Sequence, residues 1–527
     1  MLLEVLIGVG IFLRSDCGGK GRCGKCLVKL LGTSDPDMLP PEDKERQMLR
    51  DINQNSGYRL ACQLRISGNL TIEIPEISLL NPEVGQKGPI LLPEPITASV
   101  SFRSTHPYFG LAIDLGTTTI AVYLCDLNRG KVIATTSVGN PQAIFGDDVM
   151  SRISAVKRNP GLLKRLQQLA IKAIEWSIIA LCQSEKLDPG KITCCTVVGN
   201  STMIHLFVGE SPLTIGTFPY TPLFVEDRTF KAENIGFNFN PDAEIYTLPL
   251  ISGFLGSDII AAALSTELHK KEDGTMLVDV GTNGEVMLVN KKGLWATSCA
   301  TGPAFEGATI QHGMRAVSGA IDGIEIDQKS GEIICSIIQK EHVPIKKPSG
   351  ICGTGVISAV AEFYRAGLVT KDGRFIKRPD SPHIHSDENG QLECVLVPSE
   401  KTQAQRAITL TQKDIRAIQL AKGALMAGME LLCEKAGISC PDKLLVAGAF
   451  GTYINKKDAQ TIRLFPRIAE DNVNVIGNAA GAGAILSLFD PTLRTIAREM
   501  AQNTQVLDLA TLPEFQEKFM KSLSLSL

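Results

Sequence analysis

A chain of 527 residues, 44% of them hydrophobic, is long enough for two or three domains with filled cores. Its formal net charge of −3 gives no electrostatic reason to expect nucleic acid, and no apolar run reaches the ~18 residues of a membrane span. Fourteen cysteines are too sparse for a disulfide scaffold, so reduced thiols in a cytoplasmic protein are expected.

The chain opens on Met1-Leu2-Leu3-Glu4-Val5-Leu6, which predicts a helix. As a signal peptide the apolar stretch is too short, contains Glu4 and lacks a basic start and a small-residue cleavage site. A cysteine run follows, Cys17-Gly-Gly-Lys-Gly-Arg-Cys23-Gly-Lys-Cys26, with a fourth thiol in Arg59-Leu60-Ala61-Cys62-Gln63. Three thiolates on a Gly-rich loop and one from elsewhere can cage an iron–sulfur cluster. The glycines supply positive φ and backbone N–H groups turned toward sulfur. Cys23 and Cys26 also make a zinc half-site, but zinc ribbons repeat that pair and only one is present.

Pro75, Pro82, Pro89, Pro93, Pro95 and Pro107 mark an extended linker, residues 76–108, that denies regular helix. From Phe109 strands and helices alternate. Leu111–Leu115, Ile120–Leu124 and Thr193–Val198 read as strands, and a long helix is expected from Asn159-Pro160 to about Ser184. Residues 276–280, 285–289 and 294–298 read as a three-strand meander. Thr411 with Asp414 signals the start of a second long helix, Gly437 its end. Residues 444–446 form a strand entering a Gly-rich turn. The whole is mixed α/β.

Two segments repeat each other. Asp114-Leu-Gly116-Thr117-Thr118-Thr119 and Asp279-Val-Gly281-Thr282-Asn283-Gly284 each follow a strand and precede another. The repeat implies two related half-domains. Such a hairpin presents N–H and hydroxyl donors to phosphate oxygens, and an Asp at the strand end can hold Mg²⁺ through water or orient an attacking water. Gly448-Ala449-Phe450-Gly451 is a third small-residue turn, able to lie against adenosine. Neither a P-loop nor a Rossmann fingerprint is present. Four further strings stand out without a role of their own: Asn140-Pro141-Gln142 with Gly146-Asp147-Asp148, Gly199-Asn200-Ser201-Thr202, Thr301–Gly307 and Gly350–Gly355. His383 and His385, beside Asp387 and Glu388, read as a solvated loop before a metal site, and His205 as a core residue.

The cysteine run and Arg59–Gln63 resemble 2Fe-2S ferredoxins, with the C-x5-C spacing of the adrenodoxin type. That resemblance covers residues 1–75 and implies a β-grasp fold, with Cys17, Cys23, Cys26 and Cys62 as cluster ligands. The opening hairpin of that fold has no counterpart before the first helix, so either the start is truncated or the domain is incomplete, and a poorly stable cluster is expected. Residues from Phe109 to about Leu488 resemble the duplicated ATPase fold of sugar kinases, heat-shock chaperones and actin, which implies an ATPase domain over residues 109–527. This implies phosphate motifs at Asp114–Thr119 and Asp279–Gly284, with Asp114 and Asp279 catalytic. It places an adenosine motif at Gly448, Ala449 and Gly451, with connecting segments at residues 193–202 and 476–483. For the last string close helix packing is the competing explanation.

Together these modules resemble the ATP-dependent reductive activators of corrinoid proteins, as do the Asn140, Gly199 and Thr301 strings. The resemblance implies return of Co(II) to Co(I) in a methyl-transferring corrinoid partner. The electron would come from a low-potential donor through the 2Fe-2S cluster, with ATP and Mg²⁺. Members of that family can carry a middle domain after the linker. Here the linker meets Phe109 directly, and that domain is expected to be absent. An ATP-driven reductase of another metalloenzyme, or a small-molecule kinase with an appended ferredoxin domain, stays open.

Overall fold

The structure is a computed structural model. It describes every residue except 16–18, 22–23, 34–38, 52–56, 80–82, 85–107, 308, 328, 340–346, 377–382, 387–389, 404–405, 449–453 and 527. The chain forms two compact units. One is built from Met1–Lys87, Leu92–Ala261 and Gly483–Arg498, the other chiefly from Ala262–Ala482 and Glu499–Leu527.

The first unit begins with helix α1 (Leu2–Gly8), strand β1 (Leu27–Thr33), helix α2 (Asp43–Asp51) and strands β2 (Tyr58–Leu60) and β3 (Leu70–Glu73). The strands make an antiparallel sheet in the order β2-β1-β3. Arg59 ties α2 to this sheet. Its guanidinium donates to both oxygens of Glu45 at 2.9 and 3.0 Å, and Glu45 also accepts from the Leu60 N–H at 2.8 Å. Both partners are buried, so each satisfies the other's charge.

Strand β4 (Glu83–Val84) comes from the Pro-rich segment and pairs with the edge of a seven-stranded sheet. The segment is therefore not uniformly a free linker: Glu76–Ser78 forms a 3-10 turn and Leu79 bridges Leu13. The larger sheet adds β5 (Phe109–Leu115), β6 (Thr119–Asp126), β7 (Lys131–Gly139), β8 (Ile192–Val198), β9 (Arg228–Lys231) and β10 (Glu244–Thr247), in the order β4-β7-β6-β5-β8-β10-β9. Helices α3 (Val149–Arg158), α4 (Leu162–Ser184), α5 (Ser201–Val208) and α6 (Ala232–Ile235) accompany it. The expected long helix starts at Leu162 rather than at Pro160, because Asn159 turns the chain and accepts the Gly161 N–H at 3.1 Å.

The N-terminal segment packs on α4. Phe12 stacks on Trp176 with centroids 4.8 Å apart, and Arg165 donates to the Glu4 carbonyl at 2.8 Å. Leu2, Leu3, Leu6 and Ile7 belong to the same buried cluster as Ile171, Ile174 and Ile178. The ferredoxin-like segment and the first half of the expected ATPase share one core.

The chain leaves this unit inside helix α7 (Ser257–Ser265), after Ala261. The second unit contains β11 (Thr275–Val280), β12 (Gly284–Asn290) and β13 (Gly293–Cys299). Two small sheets follow, β14 (Ala320–Ile326), β15 (Ile333–Ile337) and β16 (Gly350–Ile351), then β17 (Ile384–Ser386), β18 (Leu392–Val397) and β19 (Ile408–Thr411). Helices α8 (Gly353–Arg365), α9 (Gln412–Ala436) and α10 (Lys456–Thr461) pack with strands β20 (Lys443–Ala447), β21 (Val473–Gly477) and β22 (Gln505–Val506). The main sheet runs β21-β20-β11-β12-β13-β22. The Thr411–Asp414 capping box and the left-handed Gly437 bound α9 as expected.

The five central strands repeat. In β7-β6-β5-β8-β10 and in β13-β12-β11-β20-β21, an antiparallel meander is followed by two parallel strands. This is the duplicated architecture that the two Asp-x-Gly-Thr segments imply. Helices α11 (Ala479–Phe489), α12 (Leu493–Asn503) and α13 (Pro513–Ser522) close the chain, which re-enters the first unit inside α11, at Gly483. A Cβ on Gly483 would lie 1.9 Å from the Ala261 carbonyl oxygen. Within the string 476–483, Gly483 thus serves close packing of α11 against α7. Gly483→Ala is expected to destabilise the protein by roughly 1–3 kcal/mol in chemical denaturation. Gly32→Ala, whose added methyl meets nothing within 4 Å, should leave it unchanged.

Candidate functional site

Cys26 and Cys62 are both buried, and the Ala61 N–H donates to the Cys26 carbonyl at 2.8 Å, so the two thiols are held by adjacent backbone. Cys17 and Cys23 lie outside the described residues. Gly19, Gly21 and Gly24 all have positive φ, at 80, 68 and 67°. A Cβ on Gly21 would lie 2.9 Å from Gln63 Cδ, and its left-handed φ favours glycine there. Gln63 Nε2 donates to the Gly19 carbonyl at 2.7 Å and reaches Cys62 Sγ at 3.4 Å. A sulfur donor set approached by an N–H on a Gly-rich loop fits a 2Fe-2S cluster.

The two Asp-x-Gly-Thr hairpins close alike. The Gly116 N–H donates to the Thr119 carbonyl at 3.1 Å, and the Gly281 N–H to the Asn283 carbonyl at 3.0 Å. In each, the Asp lies one residue before its strand end, beside a parallel strand: Asp114 opposite Val198, Asp279 opposite Ala447. A Cβ on Gly116 would sit 2.6 Å from the Thr119 oxygen.

In the first unit the hairpin is gripped from behind. Asn200 Nδ2 donates to Thr117 Oγ1 at 2.9 Å while its Oδ1 caps α5 on the Met203 N–H at 3.0 Å. Asn140 Nδ2 donates to the Gly116 carbonyl at 2.9 Å. Asp258, in the first turn of α7, donates its N–H to the Gly199 carbonyl, as does Ser257. Burial pushes the Asp258 carboxyl up to about 7; the Ile259 N–H opposes this and the charge of Asp114 adds to it. Sequence reasoning missed Asp258. Its signal was Ser257-Asp258 ahead of an apolar run, a helix start.

In the second unit, Thr282 donates to Glu306 Oε1 at 2.7 Å, and Thr301 donates to the carbonyls of Gly281 and Thr282 at 3.1 and 3.0 Å. The other Glu306 oxygen is buried with no partner among the described residues. A Cβ on Gly448, whose φ is 97°, would meet Asp279 Oδ1 at 2.7 Å. Gly448 is in turn held by the Gly477 carbonyl at 2.9 Å. Thus Asp279, Gly281–Gly284, Glu306 and Gly448 form one group. Ala449 and Gly451 lie outside the described residues. Within each unit, a glycine turn lies beside a strand-end carboxylate, a donor set that fits phosphate groups.

The remaining candidates are structural. The Leu223 N–H donates to His205 Nε2 at 3.1 Å, so Nδ1 carries the proton and donates to the Ser201 carbonyl at 2.7 Å. Burial lowers its basicity, and its ring stacks on Phe224. His385 pairs with Glu393 at 3.1 Å and His383 with the Gly331 carbonyl at 3.0 Å. No cluster of metal-ligating side chains occurs among the described residues. Burial raises the thiols of Cys125, Cys194, Cys195 and Cys352, as expected of core cysteines.

Comparison with known proteins now bears on this geometry. Residues 1–67 match the family model of the 2Fe-2S iron-sulfur cluster binding domain. Residues 109–271 match the RACo middle region, and 273–527 match the C-terminal domain of RACo, the ASKHA domain. The middle match begins at Phe109, where the linker meets the first sheet. It is the segment with the first Asp-x-Gly-Thr hairpin, which sequence reasoning counted as half of the ATPase. The chain is 31% identical over 573 residues to the corrinoid activation enzyme RamQ of Eubacterium limosum, covering 99% of this chain and 95% of the relative. It is 27% identical over 427 residues to the Co(II) methylated amine-specific corrinoid protein reductase of Methanosarcina barkeri, covering 76% and 71%. A solved reductive activator for corrinoid, iron-sulfur protein matches 99% of this chain and 95% of its own, at 30% identity and a TM-score of 0.74. With a shared fold over nearly its whole length and the same order of domains, the chain belongs to the family of ATP-dependent reductive activators of corrinoid proteins.

Proposed function

We propose that this protein uses ATP to return a corrinoid protein from Co(II) to Co(I), passing one electron from a low-potential donor through its N-terminal domain. The observation that carries this reading is the union of a buried-thiol, Gly-rich loop with a duplicated phosphate-hairpin fold in one chain. Residues 1–75 are the electron carrier, 76–108 the connection and 109–527 the nucleotide machine. Cys17, Cys23, Cys26 and Cys62 hold the cluster. Gly116–Thr119 and Gly281–Gly284 offer N–H and hydroxyl donors to phosphates, Gly448, Ala449 and Gly451 lie toward adenosine, and Asp114 and Asp279 take Mg²⁺ through water or orient the attacking water. When bound, the cluster supplies one-electron transfer and the cation neutralises phosphate charge.

Asp258 and Asp114 belong to one acidic site, where burial and the neighbouring Asp114 charge raise the Asp258 carboxyl to about 7. Glu306 orients the Thr282 hydroxyl toward its own oxygen and so fixes the second hairpin. Among the described residues no helix is long and apolar enough to cross a membrane. A cytoplasmic site of action, without nucleic acid, suits the thiol chemistry.

Electron transfer should need both modules. In an anaerobic assay with reductant, Mg-ATP and Co(II) corrinoid protein, the Co(II) absorbance should convert to that of Co(I). Cys62→Ser should keep ATP turnover but lose reduction, whereas Cys440→Ser should keep both. Asp114→Ala and Asp279→Ala should keep the cluster's EPR signal and abolish ATP turnover. Equal reduction without ATP, or phosphorylation of a small molecule, would sink this reading in favour of the kinase.

Asp258→Asn, which replaces the carboxyl beside Asp114 by a neutral amide, should change ATP turnover less than Asp114→Ala does. It should also change the pH dependence of stability. The folded carboxyl keeps its proton up to about 7, while an unfolded aspartate loses it near ~3.9. Stability therefore falls as pH rises through that window, and the Asn variant escapes the fall. The melting temperature of the variant relative to the native protein should rise from acid to mildly alkaline pH; a constant difference would refute the shifted carboxyl.

A further inference from the structure

The Asn140–Asp148 segment, a string with no role of its own in the sequence, joins two functional loops of the first unit. At one end it holds three successive carbonyls of the nucleotide hairpin. The Asn140 N–H donates to Thr118 at 2.8 Å, Asn140 Nδ2 to Gly116 at 2.9 Å, and the Arg152 guanidinium to Thr117 at 2.5 Å.

The middle of the segment is knit by the same guanidinium. Arg152 donates to Gln142 Oε1 and to the Gly146 carbonyl, both at 2.9 Å, and Asn140 Oδ1 accepts the Gln142 N–H at 3.0 Å. Gly146 admits no side chain, since a Cβ there would lie 2.6 Å from Ser151 Cβ and 2.8 Å from the Arg152 nitrogen. The Gly146 backbone is therefore pinned to the guanidinium that also holds Thr117.

At the far end the segment meets the cluster loop. Asp147 forms an ion pair with Lys20. A Cβ on Gly19 would touch Ile144 at 3.9 Å on one side and Cys62 Cβ at 3.8 Å on the other. Gly19 is bonded to Gln63, which reaches the Cys62 sulfur. Around this bridge lies an open cleft of about 740 Å³, lined by Lys20, Ile144, Asp147 and Lys157 among others.

Resting on the functional reading above, we propose that residues 140–148 with Arg152 couple the nucleotide hairpin to the cluster loop through the Lys20–Asp147 pair, so that nucleotide binding and cluster reduction change each other's free energy. Arg152 and Asp147 are positioning residues. Charge and hydrogen bonds near the sulfurs set a cluster's potential; the Gln63 amide supplies a hydrogen bond at Cys62, and the charged Lys20 follows Gly19, whose carbonyl that amide holds. Coupling is reciprocal by linkage: whatever factor separates the nucleotide affinities of oxidised and reduced protein must also appear as a potential shift, 59 mV for each tenfold in a one-electron couple.

The test uses the full-length protein with its cluster and a non-hydrolysable ATP analogue with Mg²⁺. Analogue affinity is measured on oxidised and on dithionite-reduced protein, and the midpoint potential with and without analogue. Because Lys20 is half exposed and such pairs are weak, a factor of about three to five is expected, with the potential moving to match. Asp147→Asn should bring the factor to unity while cluster EPR and analogue affinity of the oxidised protein stay unchanged. Pairing Lys20→Asp with Asp147→Lys should restore it. A factor of unity in the native protein, with analogue and cluster both bound, overturns the coupling and leaves the functional reading standing; so does a factor that survives Asp147→Asn. Failure to bind analogue or cluster overturns both.

Discussion

The first unit is organised around a buried cation. Arg152 has no exposed surface, and its guanidinium donates to Thr117, Gln142 and Gly146. Withdrawing such a charge from water costs several kcal/mol unless its hydrogens are met by well-placed acceptors. Two of those acceptors are backbone carbonyls in turns, one from the nucleotide hairpin and one from the segment beside the cluster loop. The turns are therefore fixed by the need to satisfy the guanidinium, and the guanidinium by the turns. Neither hairpin geometry nor loop geometry can change much without the other.

A second constraint is the lack of room for side chains where backbones meet. Gly199 lies so close to the Leu115 carbonyl that a Cβ would sit 2.6 Å away, and Gly256 so close to Asn200 that the distance would be 2.4 Å. These approaches bring the start of α7, with Asp258, to the strand end that carries Asp114. The second unit does the same with Gly448 against Asp279. In both units, glycine lets a strand-end aspartate acquire neighbours from segments far along the chain. Such crowding desolvates a carboxyl, which is why Asp258 holds its proton longer than a solvated aspartate.

The parts of this arrangement legible in the sequence are those whose cause is local. The hairpins were visible because Asp-x-Gly-Thr between β-branched runs is a turn between strands, and α9 because Thr411 and Asp414 cap it within four residues. Helix α3 was missed although Asp148 caps it on the Ser151 N–H at 2.8 Å, because no long apolar period follows so short a helix. What Asn140, Asn200 and Arg152 do was not legible at all. Their partners lie 24, 83 and 35 positions away, and nothing in a polar side chain announces which distant carbonyl or hydroxyl it will find. Arg59 was legible as part of a cluster motif but its partner was not: it makes a buried ion pair with Glu45.

Sharing of one core by the N-terminal segment and the first hairpin bears on how ATP can drive an unfavourable electron transfer. A ligand can shift a redox equilibrium only by its differential affinity for the two states. That difference has to be felt either at the acceptor, in the partner's corrinoid, or at the donor, in the cluster. A donor carried on a free tether would leave only the first route. Here Phe12 on Trp176 and Arg165 on the Glu4 carbonyl fasten the N-terminal segment to α4, and the Gln142 amide donates to the Leu166 carbonyl of that same helix at 2.9 Å. The helix that anchors the electron carrier is also the one against which the hairpin's supporting segment is braced. The second route is physically open within this unit, and its size is limited by the half-exposed Lys20–Asp147 pair rather than by the buried network behind it.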